Sequence, residues 1–237
     1  ALRAELRARG VFDAAHQPKL DTLLPLVALG TVADVVKLDA NNRRMVAQGP
    51  KRIRAGALPA GTASLFKDAS RQAAAATTFD FGFALGPRIN AGGRVGQADL
   101  GVRLLTTSDA SEARDISAEL DRLNEERRAI EAAVTEQALE LSEGTANAPI
   151  AIVSAPGWHP GVIGIVAGRL KEKLRRPAIV IALDEDGVGK GSGRSIPGVD
   201  LGGAIIAARD AGLLVAGGGH AMAAGLTVAA GGVPALT

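Results

Sequence analysis

The hydrophobic pattern is clearest in the middle of the chain. Between Ser108 and Gly144 there is no Gly or Pro, and Ala113, Ile116, Leu120, Leu123, Ile130 and Val134, with Arg127 included, follow alternating steps of three and four. That spacing predicts one helix with a narrow apolar stripe, capped by Ser108 or Ser111. At 1.5 Å per residue it would be on the order of 50 Å long, and so narrow a stripe suits a spacer between two domains. Downstream, PIAIVSA (149–155) and PAIVIAL (177–183) read as buried strands, with GVIGIVAGRLKEKL and LGGAIIAARD as helices. GVGKGSGRS reads as a glycine-rich strand or loop, and GLTV (225–228) as a last short strand. This alternation argues for α/β.

Upstream, DTLLPLVALGTVADVV (21–36) is an apolar run, helix or strand, with Asp34 at its polar end. Asn42–Arg54 predicts a basic helix that stops near Gly56. Thr78 is placed to cap a helix that Gly86-Pro87 ends. The fold class expected is therefore α/β: two α/β domains joined by one long connecting helix, with the boundary after the helix near 144–148. The chain begins without Met on an Arg-rich helical segment and ends after a Gly-Gly-Val-Pro turn. Both ends read as cuts within a longer protein, which leaves the first domain truncated at its N-terminus.

Composition narrows the chemistry. With no Cys, disulfides and thiolate metal sites are excluded. His16, His159 and His220 are the only imidazoles, so a metal site must lean on carboxylates, which suits Mg or Mn better than Zn. No apolar run is long enough to span a bilayer and no signal peptide opens the chain, so a cytoplasmic protein without a membrane partner is expected. A net charge of +2 does not by itself indicate nucleic acid. Basic residues do cluster at Arg43–Arg54 and Arg169–Arg176, although a solvated helix face explains either cluster more simply.

Four segments are candidates for a site. Asp34, alone in LGTVADVVKL, is costly if buried unless paired or metal-bound; a capping or salt-bridged Asp is the alternative. Gly86-Pro87-Arg88-Ile89-Asn90-Ala91-Gly92-Gly93-Arg94 carries two guanidiniums and an amide on a glycine-rich backbone suited to phosphate, or else it is an exposed turn. Gly191-Ser192-Gly193-Arg194-Ser195 places a hydroxyl and a guanidinium two apart, on one face if extended. Gly217-Gly218-Gly219-His220 precedes Ala221-Met222-Ala223-Ala224, read as a helical turn, so its N–H groups would form an anion site at a helix start, or else it is a tight turn whose His is merely packed. Ser192, Arg194 and His220 are expected to converge on one anion. His159, in Trp158-His159-Pro160, reads as a structural cap or core residue rather than a ligand.

Taken together and in order, LVALGTVADVV, NNRRMVAQG, FALGPRINAGGR, LNEERRAIE, WHPGVIGIVAGRL, KGSGRSIPG and GGGHAMAAGLTV resemble the RecJ branch of the DHH phosphoesterase superfamily over roughly residues 20–228. The resemblance implies a single-stranded-DNA-specific 5′→3′ exonuclease of DNA repair and recombination. It implies two ions, Mn2+ or Mg2+, that activate water, and a single-stranded DNA substrate with a 5′-phosphate. A single-strand-binding protein or helicase would be a partner. Residues 1–107 would be the C-terminal part of the DHH catalytic domain, 108–147 the connecting helix and linker, and 148–237 the DHH-associated substrate-binding domain. Asp34 would be a metal ligand and catalytic, and Arg88 catalytic. Arg88, Asn90 and Arg94 would line the path to the scissile phosphate, Ser192 and Arg194 would hold the terminal phosphate, and Gly218, Gly219 and His220 would form the substrate motif. The family's first three motifs, including Asp-His-His, have no counterpart in this sequence. Asp34 alone cannot hold two ions, so this chain is expected to be inactive by itself. The alternatives are a DHH-family oligoribonuclease or nucleotide phosphatase, and a non-catalytic nucleic-acid-binding module.

Overall fold

The computed structural model describes residues 2–13, 15–144 and 148–236. It divides into two compact units, Ala1–Gly92 with Ala98–Arg122, and Gly93–Gln97 with Leu123–Thr237. Part of the expected boundary, residues 145–147, lies outside the described residues.

Among its described residues the first unit is helical throughout. Its helices are α1 (Leu2–Ala8), α2 (Leu24–Ala33), α3 (Ala40–Arg54), α4 (Ala60–Asp68), most of α5 (Gly86–Val95), α6 (Leu100–Thr106) and the start of α7 (Ala110–Glu143). The apolar run 21–36 resolves as helix α2, with Pro25 in the first turn, where its missing N–H costs nothing. Gly49 lets α3 approach α2 closely, since a Cβ there would lie 2.2 Å from that of Ala28. Leu65, Phe66, Phe81, Leu85, Leu104 and Leu120 fill the core.

Gly86-Pro87 does not end a helix. A π-helical turn, Asp80–Leu85, runs directly into α5, so GPRINAGGR is helical rather than a flexible loop. A proline in an α-helical ladder removes one hydrogen bond and crowds the carbonyl four residues back; the wider π-turn just before it absorbs that misfit. The residue tied at the helix start is Thr77, not Thr78: its N–H and hydroxyl donate to Asp80 at 2.7 and 2.8 Å.

Helix α7 is continuous over 34 residues. Its cap is Asp109, whose Oδ1 accepts from Ser111 N at 2.7 Å and Glu112 N at 3.3 Å, in place of the expected serines. It is also more than a spacer. Ala113, Ile116 and Leu120 are buried in the first unit, and Val134 and Ala138 join the core of the second.

The second unit is built on a five-stranded sheet in the order β1-β2-β3-β5-β4: β1 (Ala151–Pro156), β2 (Ala178–Leu183), β3 (Gly189–Arg194), β4 (Ala216–His220) and β5 (Ala223–Val228). β1 and β2 are parallel; the other pairs are antiparallel. α8 (Ile163–Leu174) and the end of α7 pack on Val153, Ala178 and Val180, while α9 (Leu201–Asp210) packs on Ile152, Ile179 and Ile181 of the other face. GGGH does not lead into a helix. It is edge strand β4, and Ala221-Met222 is the two-residue turn of a hairpin with β5. Pairing of Ala224, Leu226 and Val228 into the core outweighs the helix propensity of the alanines.

Candidate functional site

Strand β3 sorts its residues by the two-residue period of a strand. Gly191 and Gly193 point at the α9 core, where a Cβ would come within 2.7 Å of Leu226 and of Leu201 respectively, so only glycine fits. Lys190, Ser192 and Arg194 therefore take the opposite face. Across from them on β5 stand Thr227, Gly225 and Ala223, and beyond these Ala216, Gly218 and His220 of β4. α8 packs against β3 from this face with its start beside Ser192 and Arg194, and next to it lies a cleft of about 590 Å³ with a glycine floor.

Three elements supply donors there. Arg94, at the end of α5, donates from Nη1 to the carbonyl of Gly161 at 3.1 Å. Arg194 Nη1 donates to Ser192 Oγ at 3.0 Å and to the carbonyl of Gly193 at 2.9 Å. Ile163 and Gly164 open α8, so their N–H groups have no intrahelical acceptor, and no side chain caps them. A Cβ on Gly164 would lie 3.1 Å from both Ser192 Oγ and Arg194 Nη2, which puts the helix start directly against the pair. No carboxylate lines the cleft. Burial, and then the charge of Arg94, push the Arg194 guanidinium below its ordinary pKa. Two guanidiniums with no carboxylate in the lining, beside a helix N-terminus, have the chemistry that suits an anion.

The lead-in to α8 is held firmly. His159 Nδ1 accepts from Gly161 N at 3.0 Å in the turn before α8, a structural contact although not a cap of the helix, and Trp158 Nε1 donates to Gln137 of α7 at 2.8 Å. Buried Glu131 accepts from Arg127 Nη1 and Arg169 Nε, both at 2.5 Å, tying α7 to α8.

Ser192, Arg194 and Arg94 thus meet in one cleft. His220 does not join them: it lies on the same face, two strands across at roughly 9.6 Å, exposed and outside the cleft lining, and half-buried Gly218 and exposed Gly219 lie outside that lining too. The helix start expected at GGGH is supplied by α8 instead. Sequence reasoning missed Gly164, Lys190 and Thr227; the legible clue was that WHPGVIG opens a helix with no Ser, Thr, Asp or Asn at the cap.

In the first unit, Asp34 and Asn90 line a smaller cleft of about 190 Å³ with Gly30 and Gly86. Asp34 is exposed at the C-cap of α2, so the cost of a buried lone carboxylate does not apply to it. Asn90 is exposed too. Arg88 is held by two of its donors: Nε donates to Asp121 at 2.7 Å and Nη1 to the carbonyl of Ala84 at 2.8 Å. Among the described residues no three His, Asp or Glu side chains gather as a metal site. Mg2+ and Mn2+ favour about six oxygen ligands, so the residues present do not fit a two-ion centre.

A DHHA1 domain model matches residues 147–237. The single-stranded-DNA-specific exonuclease RecJ of Dickeya dadantii is 47% identical over 96% of this chain, and that of Escherichia coli 46% over 96%. In each case the chain spans only 41% of the relative's length. Thermus thermophilus RecJ in complex with Mg2+ matches 99% of the chain and 35% of its own length at 34% identity, with a TM-score of 0.82; a RecJ bound to manganese matches with a TM-score of 0.79, over 56% of its length.

Proposed function

Since this chain belongs to the RecJ family, we propose that it is the substrate-gripping portion of a single-stranded-DNA-specific 5′→3′ exonuclease. On this reading 148–237 is the DHH-associated domain, 1–107 the C-terminal part of the catalytic domain, and 108–147 the connection. Asp34 adds one carboxylate to a centre for Mn2+ or Mg2+ whose other ligands the chain does not supply. DNA repair and recombination in the cytoplasm, beside single-strand-binding or helicase proteins, is the setting this implies.

One observation carries the reading: a cleft in which Arg94, Arg194 and Lys190 stand without a single carboxylate. A 5′-terminal phosphate carries more charge than an internal diester. Ser192, the two guanidiniums and the α8 N–H groups would hold it by charge-assisted hydrogen bonds, fixing the strand end so that chemistry occurs at a set distance from it. His220 and the bare Gly218 offer a place for the following sugar or base.

Restoring the N-terminal half tests this. The complete protein should degrade single-stranded DNA from the 5′ end with Mn2+ or Mg2+ and spare duplex. A substrate-length profile that favours mononucleotides or short oligoribonucleotides would instead make it a nucleotide phosphatase or oligoribonuclease.

A further inference from the structure

The cleft is larger and more positive than one phosphate requires. Beyond Ser192, the next residue on the same face of β3 is Lys190, about 6.8 Å along the strand. It is exposed, and its Nζ donates to Thr227 Oγ1, directly opposite on β5, at 3.1 Å. No carboxylate pairs with it among the described residues, and it lines the same cleft as Arg94 and Arg194. Gly225, opposite Ser192, leaves the floor between Lys190 and Arg194 bare.

Charge counting then bears on the ligand. A terminal phosphate monoester carries about −1.5 to −2 at neutral pH, which matches the two guanidiniums and leaves the ammonium over. Lys190 and Ser192 stand one alternate-residue step apart, about 6.8 Å between their Cα atoms. That is comparable with the spacing of successive phosphates along a stretched single strand and too wide for two phosphorus atoms sharing one oxygen. We infer that Lys190 and Thr227 form a second anion position, so that the cleft grips two successive, sugar-separated phosphates and its minimal ligand is a 5′-phosphorylated dinucleotide. This rests on the terminal-phosphate reading of Ser192 and Arg194.

Calorimetric titration of the 237-residue chain at fixed low salt, with thymidine 5′-monophosphate, pTpT and pyrophosphate, tests it. The dinucleotide should bind tighter than the mononucleotide and than pyrophosphate. Lys190→Gln, at an exposed position, should weaken pTpT about tenfold, the low end for a hydrogen bond to a charged group, and leave the mononucleotide unchanged. Arg194→Ala should weaken both. Equal effects of Lys190→Gln on both ligands, no effect on pTpT, or pyrophosphate binding as tightly as pTpT, would each remove the second position. Mononucleotide binding untouched by Arg194→Ala would remove the terminal-phosphate assignment alone. Failure of the unaltered chain to bind either nucleotide would overturn both.

Discussion

Arg94 and Arg194 share one cleft with no carboxylate lining it, and each is held by oxygens that carry no full charge: Arg94 by the Gly161 carbonyl, Arg194 by the Ser192 hydroxyl and the Gly193 carbonyl. Two like charges kept together this way cost stability in the empty protein. On the proposed reading, the arrangement holds donors ready, so that little reorganisation would remain when an anion arrives.

The first expected outcome follows from that pair. In the complete protein, Arg194→Ala should weaken binding of 5′-phosphorylated single strands by about 1.5–3 kcal/mol, and strands with a 5′-hydroxyl much less. Equal losses on both substrates, read by fluorescence anisotropy, would make Arg194 a general backbone contact.

The chain alone should show no nuclease activity with Mn2+ or Mg2+, because Asp34 is its single candidate ligand and no acidic cluster surrounds it among the described residues. Degradation of single-stranded DNA by the purified chain, abolished by Asp34→Ala, would contradict this.

The second unit was largely legible in the sequence, since its strands and helices are short apolar runs bounded by Gly and Pro, and its core repeats those runs. The errors have physical causes. Local periodicity cannot register a π-turn, so Gly86-Pro87 read as a stop where a helix continues. The alanines after GGGH favour a helix locally, but β5 is needed to join β4 to the sheet. Arg94, Ser192 and Arg194 were each singled out as phosphate donors; that they meet beside α8 depends on contacts 67 residues apart, as between Arg94 and Gly161, which no local spacing encodes.

Next to Asp34 the backbone is strained. Val36 N donates to Thr31 O and Val35 N to Val32 O, a Schellman close of α2, which puts Val35 at φ +53°. Glycine normally holds that place; the left-handed region costs an L-residue roughly 1–2 kcal/mol. Val35 is 88% exposed, so little packing would be lost on truncation. Val35→Gly should therefore raise the stability of the first unit by up to about 1 kcal/mol, after roughly 0.5–1 kcal/mol is given back to the freer unfolded chain. If the strain serves to aim Asp34, the same change should lower turnover in the complete protein. A drop in melting temperature would show that Val35 packs in a way its exposure hides.

Asp80 gives the first unit a pH dependence. Its carboxylate, 4% exposed, accepts from Thr77 N at 2.7 Å, Thr77 Oγ1 at 2.8 Å and Arg71 Nε at 2.6 Å. Burial is the largest single influence and acts to raise its pKa, but the Thr77 and Arg71 donors together outweigh it, and the pKa falls below the ordinary carboxylate value. A group whose pKa is lower folded than unfolded favours the fold when ionised. Its contribution is complete above the unfolded value of about 3.9 and is lost as pH drops through the lower folded value. Asp80→Asn keeps the shape but sets an amide against three donors, and should cost about 2 kcal/mol at pH 7. The gap between variant and parent should narrow in acid, below the usual carboxylate range, where the parent's carboxyl is protonated as well. Trp158 lies in the second unit, so its fluorescence will not report the effect; far-ultraviolet circular dichroism and hydrogen exchange at Phe81–Leu85 will. A gap of the same size at pH 7 and in strong acid would mean that the charge on Asp80 contributes nothing and that only the shape of its hydrogen bonds matters.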